Sequence, residues 1–146
     1  MLLVSHRGNL NGSDPVLENS PEYILLALNK GYDVEIDVWF YKNSFYLGHD
    51  EPLYKINKTF LTNKKFWCHA KNIKAMDKML KNNIHCFWHQ NDKLTLTNKN
   101  IPWCFPNAFI KNGITVVLNK DKKILNKKYF GICTDYILYY NRLLNA

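Results

Sequence analysis

The chain has 146 residues, 47% of them hydrophobic and 14% aromatic, which suits one domain with a buried core and excludes a disordered chain. Its formal charge of +8 rests on 18 lysines and two arginines, and it is unevenly spread, since residues 1–51 hold eight of the 12 acids and three of the 20 bases. With no 18-residue apolar run, no leader-like start at MLLVSHRG and no CxxC pair, the sequence argues against a membrane span, a secretory signal and a zinc ribbon or redox motif.

Taken in order, Met1–Ser5 is a short apolar run that stops at His6-Arg7-Gly8, the pattern of a buried strand ending in a loop. The loop Asn9–Asn19 is rich in Asn, Gly, Ser and Pro. Ser20-Pro21 then supplies a helix cap and a first-turn proline, Ile24, Leu25 and Leu28 recur at helical spacing, and Gly31 closes the element. A strand is expected over 33–40, and after the Lys42-Asn43-Ser44 turn another over Phe45–Gly48, delivering His49-Asp50 into a loop. Residues 51–64 read as polar and irregular. Phe66–Lys71 reads as a strand with Trp67, His69 and Lys71 on one face, and Asn72 can cap a helix over 73–82 with an apolar stripe of Ile73, Met76, Met79 and Leu80.

Further on, the pattern predicts a strand over Ile84–His89, a polar turn at Gln90–Lys93, a weak strand near Pro102–Phe105 and a short helical turn over Asn107–Asn112. Gly113–Leu118 is β-branched and buried in character. Lys120–Lys128 is a charged connector, Phe130–Thr134 a last strand and Asp135–Leu144 a terminal helix. Up to eight short strands with few helices between them predict an α/β protein whose mostly parallel sheet could close into a small barrel. The four cysteines, Cys68, Cys86, Cys104 and Cys133, each lie in an apolar run and are expected to be buried free thiols, which together with the missing leader predicts a soluble, cytoplasmic protein.

The chemistry centres on Val34-Glu35-Ile36-Asp37-Val38, where two carboxylates alternate with apolar residues and so share one face of a strand. Burying an unpaired charge is costly, so a cation should sit between them, either a divalent oxygen-loving metal or a Lys/Arg cluster. Other polar groups fall where strands end: His6 and Arg7, then His49 and Asp50, then His69 and Lys71, then His89. Two imidazoles, two carboxylates and an arginine at one mouth would suit metal-assisted phosphoryl transfer. Singly, each has an ordinary structural alternative, such as a pairing of Arg7 with Glu18 or Asp14.

Together, His6-Arg7-Gly8, Glu18-Asn19-Ser20, Glu35-Ile36-Asp37-Val38 and His49-Asp50 with Leu53 after it resemble the N-terminal signature of the glycerophosphodiester phosphodiesterases, in order and at near-family spacing. Gly131-Ile132-Cys133-Thr134-Asp135 is similar to that family's last strand. The resemblance implies a TIM-type (β/α) barrel that binds one divalent ion (Mg, Ca or Mn) and cleaves a phosphodiester. On it, His6 and His49 are catalytic, Glu35 and Asp37 bind metal, and Arg7 steadies the phosphate, with Lys71 a second phosphate contact. The chain departs from the family twice. His69-Ala70-Lys71 stands where a Glu-x-Lys pattern supplies a third acidic ligand, making His69 the candidate third ligand, and 146 residues fall short of the ~200 of a full barrel.

The expectation is therefore a reduced or partly open TIM-type barrel, with several helices shortened or missing, hydrolysing a small phosphodiester. The alternative is a catalytically inactive barrel that binds a phosphorylated ligand or a protein partner. Specific nucleic-acid binding is not expected, because the basic portion offers no recognisable motif and no helix with a basic stripe. The oligomeric state is not legible.

Overall fold

The computed structural model describes residues 1–126 and 129–146. Chain order begins with strand β1 (Leu2–His6), helix α1 (Pro21–Asn29), β2 (Asp33–Tyr41), β3 (Ser44–Leu47) and β4 (Tyr54–Ile56). After a 3-10 turn (Phe60–Thr62) come β5 (Phe66–Ala70), helix α2 (Ile73–Lys81), β6 (Cys86–Phe87), β7 (Leu94–Leu96), β8 (Pro102–Cys104) and β9 (Ile114–Val117). A second 3-10 turn (Lys122–Asn126), β10 (Gly131–Thr134) and helix α3 (Ile137–Leu144) complete the chain. Among the described residues no helix is long and apolar enough to cross a membrane.

Local chemistry explains the well-formed elements. The Ser20 hydroxyl accepts from the Tyr23 amide at 3.3 Å with Pro21 in the first turn, so α1 starts where a cap and a pre-set φ coincide. Asn72 caps α2 by accepting from the Ala75 amide at 2.8 Å and also bonds the Phe40 amide and carbonyl, tying that helix to the end of β2.

All ten strands belong to one mixed, mostly parallel sheet. Its parallel part runs β6-β5-β2-β1-β10-β9-β8, while β3 and β4 form an antiparallel extension from the end of β2, and β7 lies antiparallel on β8. The sheet does not close, since no strand ladder joins β6 to β7 or β8. Asn98 bridges that opening: its amide donates to the Cys86 carbonyl at 2.9 Å, its side-chain carbonyl accepts from the Cys86 amide at 3.0 Å and its Nδ2 donates to the Ile84 carbonyl at 2.8 Å.

Register decides which residues meet. β1 and β2 pair His6 with Glu35, and β2 and β5 pair Glu35 with Trp67 and Asp37 with His69, all in parallel, so these strands end along one edge. On one face Val34, Ile36 and Val38 pack under Ile24 and Ala27 of α1 and Ala75 and Met79 of α2, while Ile137 and Tyr140 of α3 cover Leu3 and Ile132. Each such large aliphatic side chain removed from water contributes about 1.5–3 kcal/mol. On the other face Val4, Trp67, Phe87, Trp103, Ile114, Val116 and Cys133 form a separate apolar layer.

Several predicted elements differ. The stretch 51–64 is not wholly irregular: Tyr54–Ile56 forms β4, held because Phe45 and Leu47 of β3 offer it a paired edge. The strand predicted over 84–89 contracts to Cys86–Phe87, since the Ile84 amide is taken by the Met79 carbonyl at the end of α2. Leu94–Leu96 is a strand despite exposed leucines, and Asn107–Asn112 forms no helix. The connector 120–128 contains the Lys122–Asn126 turn, with 127 and 128 outside the described residues. All four cysteines are free and buried, as expected.

Candidate active site

β1 ends in a backbone turn that aims Arg7. Arg7 holds a left-handed φ of 55°, its amide donates to the Glu35 carbonyl at 2.9 Å, and its carbonyl accepts from the Asn19 amide at 3.1 Å. A non-glycine residue in that region is strained, and here pairing on both sides holds it. His49 is placed by a different device. A Cβ added at Gly48, where φ is +150°, would lie 2.0 Å from the Glu51 carbonyl oxygen, so only glycine permits the tight loop that follows β3.

His6, Arg7, Glu35, His49, His69 and Lys71 all border one cavity of about 360 Å³, and Asp37 is buried beside them. Every candidate read from the sequence thus lies in one place. Asp37 is the hub. Its Oδ2 accepts from Asn19 Nδ2 at 2.9 Å and lies 3.0 Å from Arg7 Nε, while its Oδ1 lies 3.1 Å from His69 Nδ1 and 3.6 Å from Lys71 Nζ. Burial opposes its charge, but His69, Arg7 and Lys71 outweigh that and hold its carboxyl well below the usual range. Glu35 behaves oppositely: burial, and then the neighbouring Asp37 charge, push it up, and His6 and His69 only partly compensate.

The hydrogen bonds around His69 define its chemistry. Its Nε2 lies 2.7 Å from the His89 carbonyl, which can only accept, so Nε2 carries the hydrogen. Nδ1 faces Asp37 Oδ1 at 3.1 Å and Glu35 Oε1 at 3.7 Å, so a hydrogen or a cation must stand between them, and as a metal ligand Nδ1 would offer its lone pair. The ring also stacks on Phe87, with centroids 5.1 Å apart and planes 4° from parallel, which sets its orientation. Ligand atoms of Glu35, Asp37 and His69 lie within 4.8 Å of one another, and Glu35 Oε2 and Asp37 Oδ1 are buried without a hydrogen-bond partner. Three Lewis-basic groups aimed at one point, two of them short of a donor, fit a divalent cation. No family model, curated protein or solved structure matches this chain. Its chemistry therefore rests on this geometry.

His6 is the second centre. Its Nδ1 lies 2.7 Å from Asp135 Oδ1, leaving Nε2 toward Glu35 Oε2 at 3.9 Å. Burial works against its charged form, but the Asp135 hydrogen bond and the Glu35 charge prevail and raise its pKa. Asn9 Nδ2 reaches both Asp135 Oδ1 and Glu18 Oε1 at 2.8 Å, and Glu18 in turn holds Arg7 Nη1 at 3.1 Å. Of the two acids named from the sequence as ordinary partners of Arg7, Glu18 is the one that pairs with it, and Asp37 is a further one. His49 lies at the rim, its side chain 43% exposed, with Nδ1 2.8 Å from Asp50. Partial burial and the nearby Arg7 and Lys71 charges lower its pKa.

Sequence reasoning missed the parts played by Asn9, Asn19, Asp135 and Phe87. Asn19 and Asp135 stood inside motifs already singled out, but nothing local told which carboxylate or imidazole each would meet. Phe87 had no signal at all beyond its apolar run.

Proposed function

We propose that this chain is a small metal-dependent phosphodiesterase acting on glycerophosphodiesters or similar diesters, and that its sheet is a reduced TIM-type barrel spanned at its opening by Asn98. The observation that carries the reading is the buried set of Glu35, Asp37 and His69 Nδ1 beside an imidazole already oriented by Asp135. These three residues would hold one divalent ion, which when bound would neutralise phosphate charge. Arg7 donates Nη1 to Glu18 and keeps Nε 3.0 Å from Asp37 Oδ2 without an aligned hydrogen bond, so Nη2 would steady a phosphate oxygen and Lys71 would supply a second positive charge.

Hydrolysis requires one proton to leave the attacking hydroxyl or water and one to reach the departing alcohol. His6 through Nε2 and His49 through its own free nitrogen would share those transfers, since the Nδ1 atoms of both rings are engaged by aspartates. The resemblance of the four N-terminal motifs to the glycerophosphodiester phosphodiesterases supports the same assignment. The test is hydrolysis of bis(p-nitrophenyl) phosphate and of glycerophosphocholine with Mg²⁺, Mn²⁺ or Ca²⁺, then with excess chelator. Turnover that needs the ion is the expected result. Turnover that survives chelation, or none with any ion, overturns the reading.

The second reading is an inactive barrel that binds a phosphorylated ligand or protein partner. The exposure of His49, tied to an Asp50 that is itself at the surface, favours it. Phosphate-ester binding without turnover would select it.

A further inference from the structure

The cavity has two unlike walls. β1, β2 and β5 contribute His6, Arg7, Glu35, His69 and Lys71 to one, whereas β6, β8 and β9, with the residues just after them, contribute Phe87, Trp103, Phe105, Val116 and Leu118 to the other, where the polar His89 and Gln90 that follow β6 also border the cavity. Strand alternation puts Trp103 and Phe105 on the same side, and Val116 and Leu118 likewise. Phe87, Trp103 and Val116 are buried and needed by the apolar layer beneath. Leu118, one step nearer the mouth, packs partly against that layer as well, whereas Phe105 is 40% exposed and joins none of the apolar clusters of the described residues. His89 meets the Phe105 ring edge-on, with centroids 5.5 Å apart.

We propose that Phe105 and Leu118, with Val116 behind them, form a specificity surface, and that the ester taken here carries one apolar alcohol, an alkyl chain or an aromatic ring. The inference rests on the phosphodiesterase reading for the scissile group and goes beyond it in naming the alcohol. A phosphate held on the cationic wall directs one ester substituent across the cavity. Where it meets Phe105 and Leu118, a polyol would lose water from its hydroxyls and gain no partner from either side chain, whereas an apolar group leaves water favourably.

Phosphate monoesters test this without a cleavable diester. Methyl, hexyl and phenyl phosphate are titrated calorimetrically into the full chain with Mn²⁺ present. Each CH₂ removed from water favours binding roughly fourfold, so partial burial of a six-carbon group predicts about tenfold tighter binding of hexyl or phenyl than of methyl phosphate. In the Phe105→Ser/Leu118→Ser double variant that ratio should fall to about twofold or less, and Phe105→Leu should keep it for hexyl phosphate. Both serines replace partly exposed side chains, and a thermal melt checks folding. Tighter hexyl binding assigns a chain, tighter phenyl binding a ring. Equal affinities for all three esters, or a preference undiminished in the double variant, overturn the proposal. If diesters are hydrolysed while the affinities are equal, this inference alone falls. If the preference holds and no diester is hydrolysed, the phosphodiesterase reading falls and the apolar wall remains.

Discussion

Replacing Glu35 with Gln keeps the shape of a buried side chain and removes a charge that the protein opposes when no cation is bound. Glu35 Oε2 has no hydrogen-bond partner, and the imidazoles nearest the carboxylate are distant, His69 Nδ1 at 3.7 Å from Oε1 and His6 Nε2 at 3.9 Å from Oε2, whereas burial and Asp37 push its pKa above the ordinary 4.5. Relieving such a buried charge is expected to stabilise the metal-free protein by about 1–2 kcal/mol, or roughly 4–8 °C in Tm for a chain of this size. Metal at about a hundred times its Kd adds ~2.7 kcal/mol to a protein with an intact site, roughly 10 °C. The stability order should therefore invert, with Glu35→Gln melting higher in chelator and the wild type melting higher in Mn²⁺. Thermal melts by circular dichroism measure both. A carboxyl raised in the folded state destabilises above that raised value and ceases to do so once protonated in both states. In chelator the variant's advantage should thus be full above the raised folded-state value and fade as the pH falls through it toward the ordinary 4.5. A variant that melts lower in chelator and still shifts with metal would show Glu35 to be a structural partner, not a ligand.

Three further outcomes follow from the same geometry. His6→Ala should cost about 10²–10⁴ in kcat and Asp135→Asn a smaller part of that, with the Asp135 variant also moving the pH profile, because the carboxylate orients His6 and holds up its pKa; a profile unmoved in Asp135→Asn removes it from this role. His69→Glu should tighten Mg²⁺ or Ca²⁺ relative to Mn²⁺, since an imidazole favours later transition metals and a carboxylate the hard ions, and competitive titrations with unchanged selectivity would reassign His69. His85, packed 4.5 Å from Trp67 and pushed down to about 4 by burial and then Lys99, takes up a proton near its ordinary 6.5 only when unfolded. Folding stability therefore falls as pH drops from about 6.5 toward 4, by up to roughly 3 kcal/mol from this residue, and His85→Phe should flatten that slope in urea titrations; an unchanged slope refutes the assignment.

By itself the sequence determined what depends on short-range rules. Period-two alternation put Glu35 and Asp37 on one face, and Trp67, His69 and Lys71 on another strand's single face. Ser20-Pro21 and Asn72 marked the helix starts, and the apolar runs around the cysteines foretold buried thiols. Those features are encoded within a few residues, where the backbone period and cap chemistry act. Tertiary structure alone decided the rest. Parallel register set His69 opposite Asp37, and a chain separation of 129 residues brought Asp135 to His6. Three-residue strands such as β4 and β7 draw their stability from paired edges rather than from their own composition, so no local pattern announces them. For the same reason the alternation that placed Phe105 and Leu118 could not say that they would border the same cavity as His6 and Glu35: which wall a side chain joins is settled only when distant strands pair.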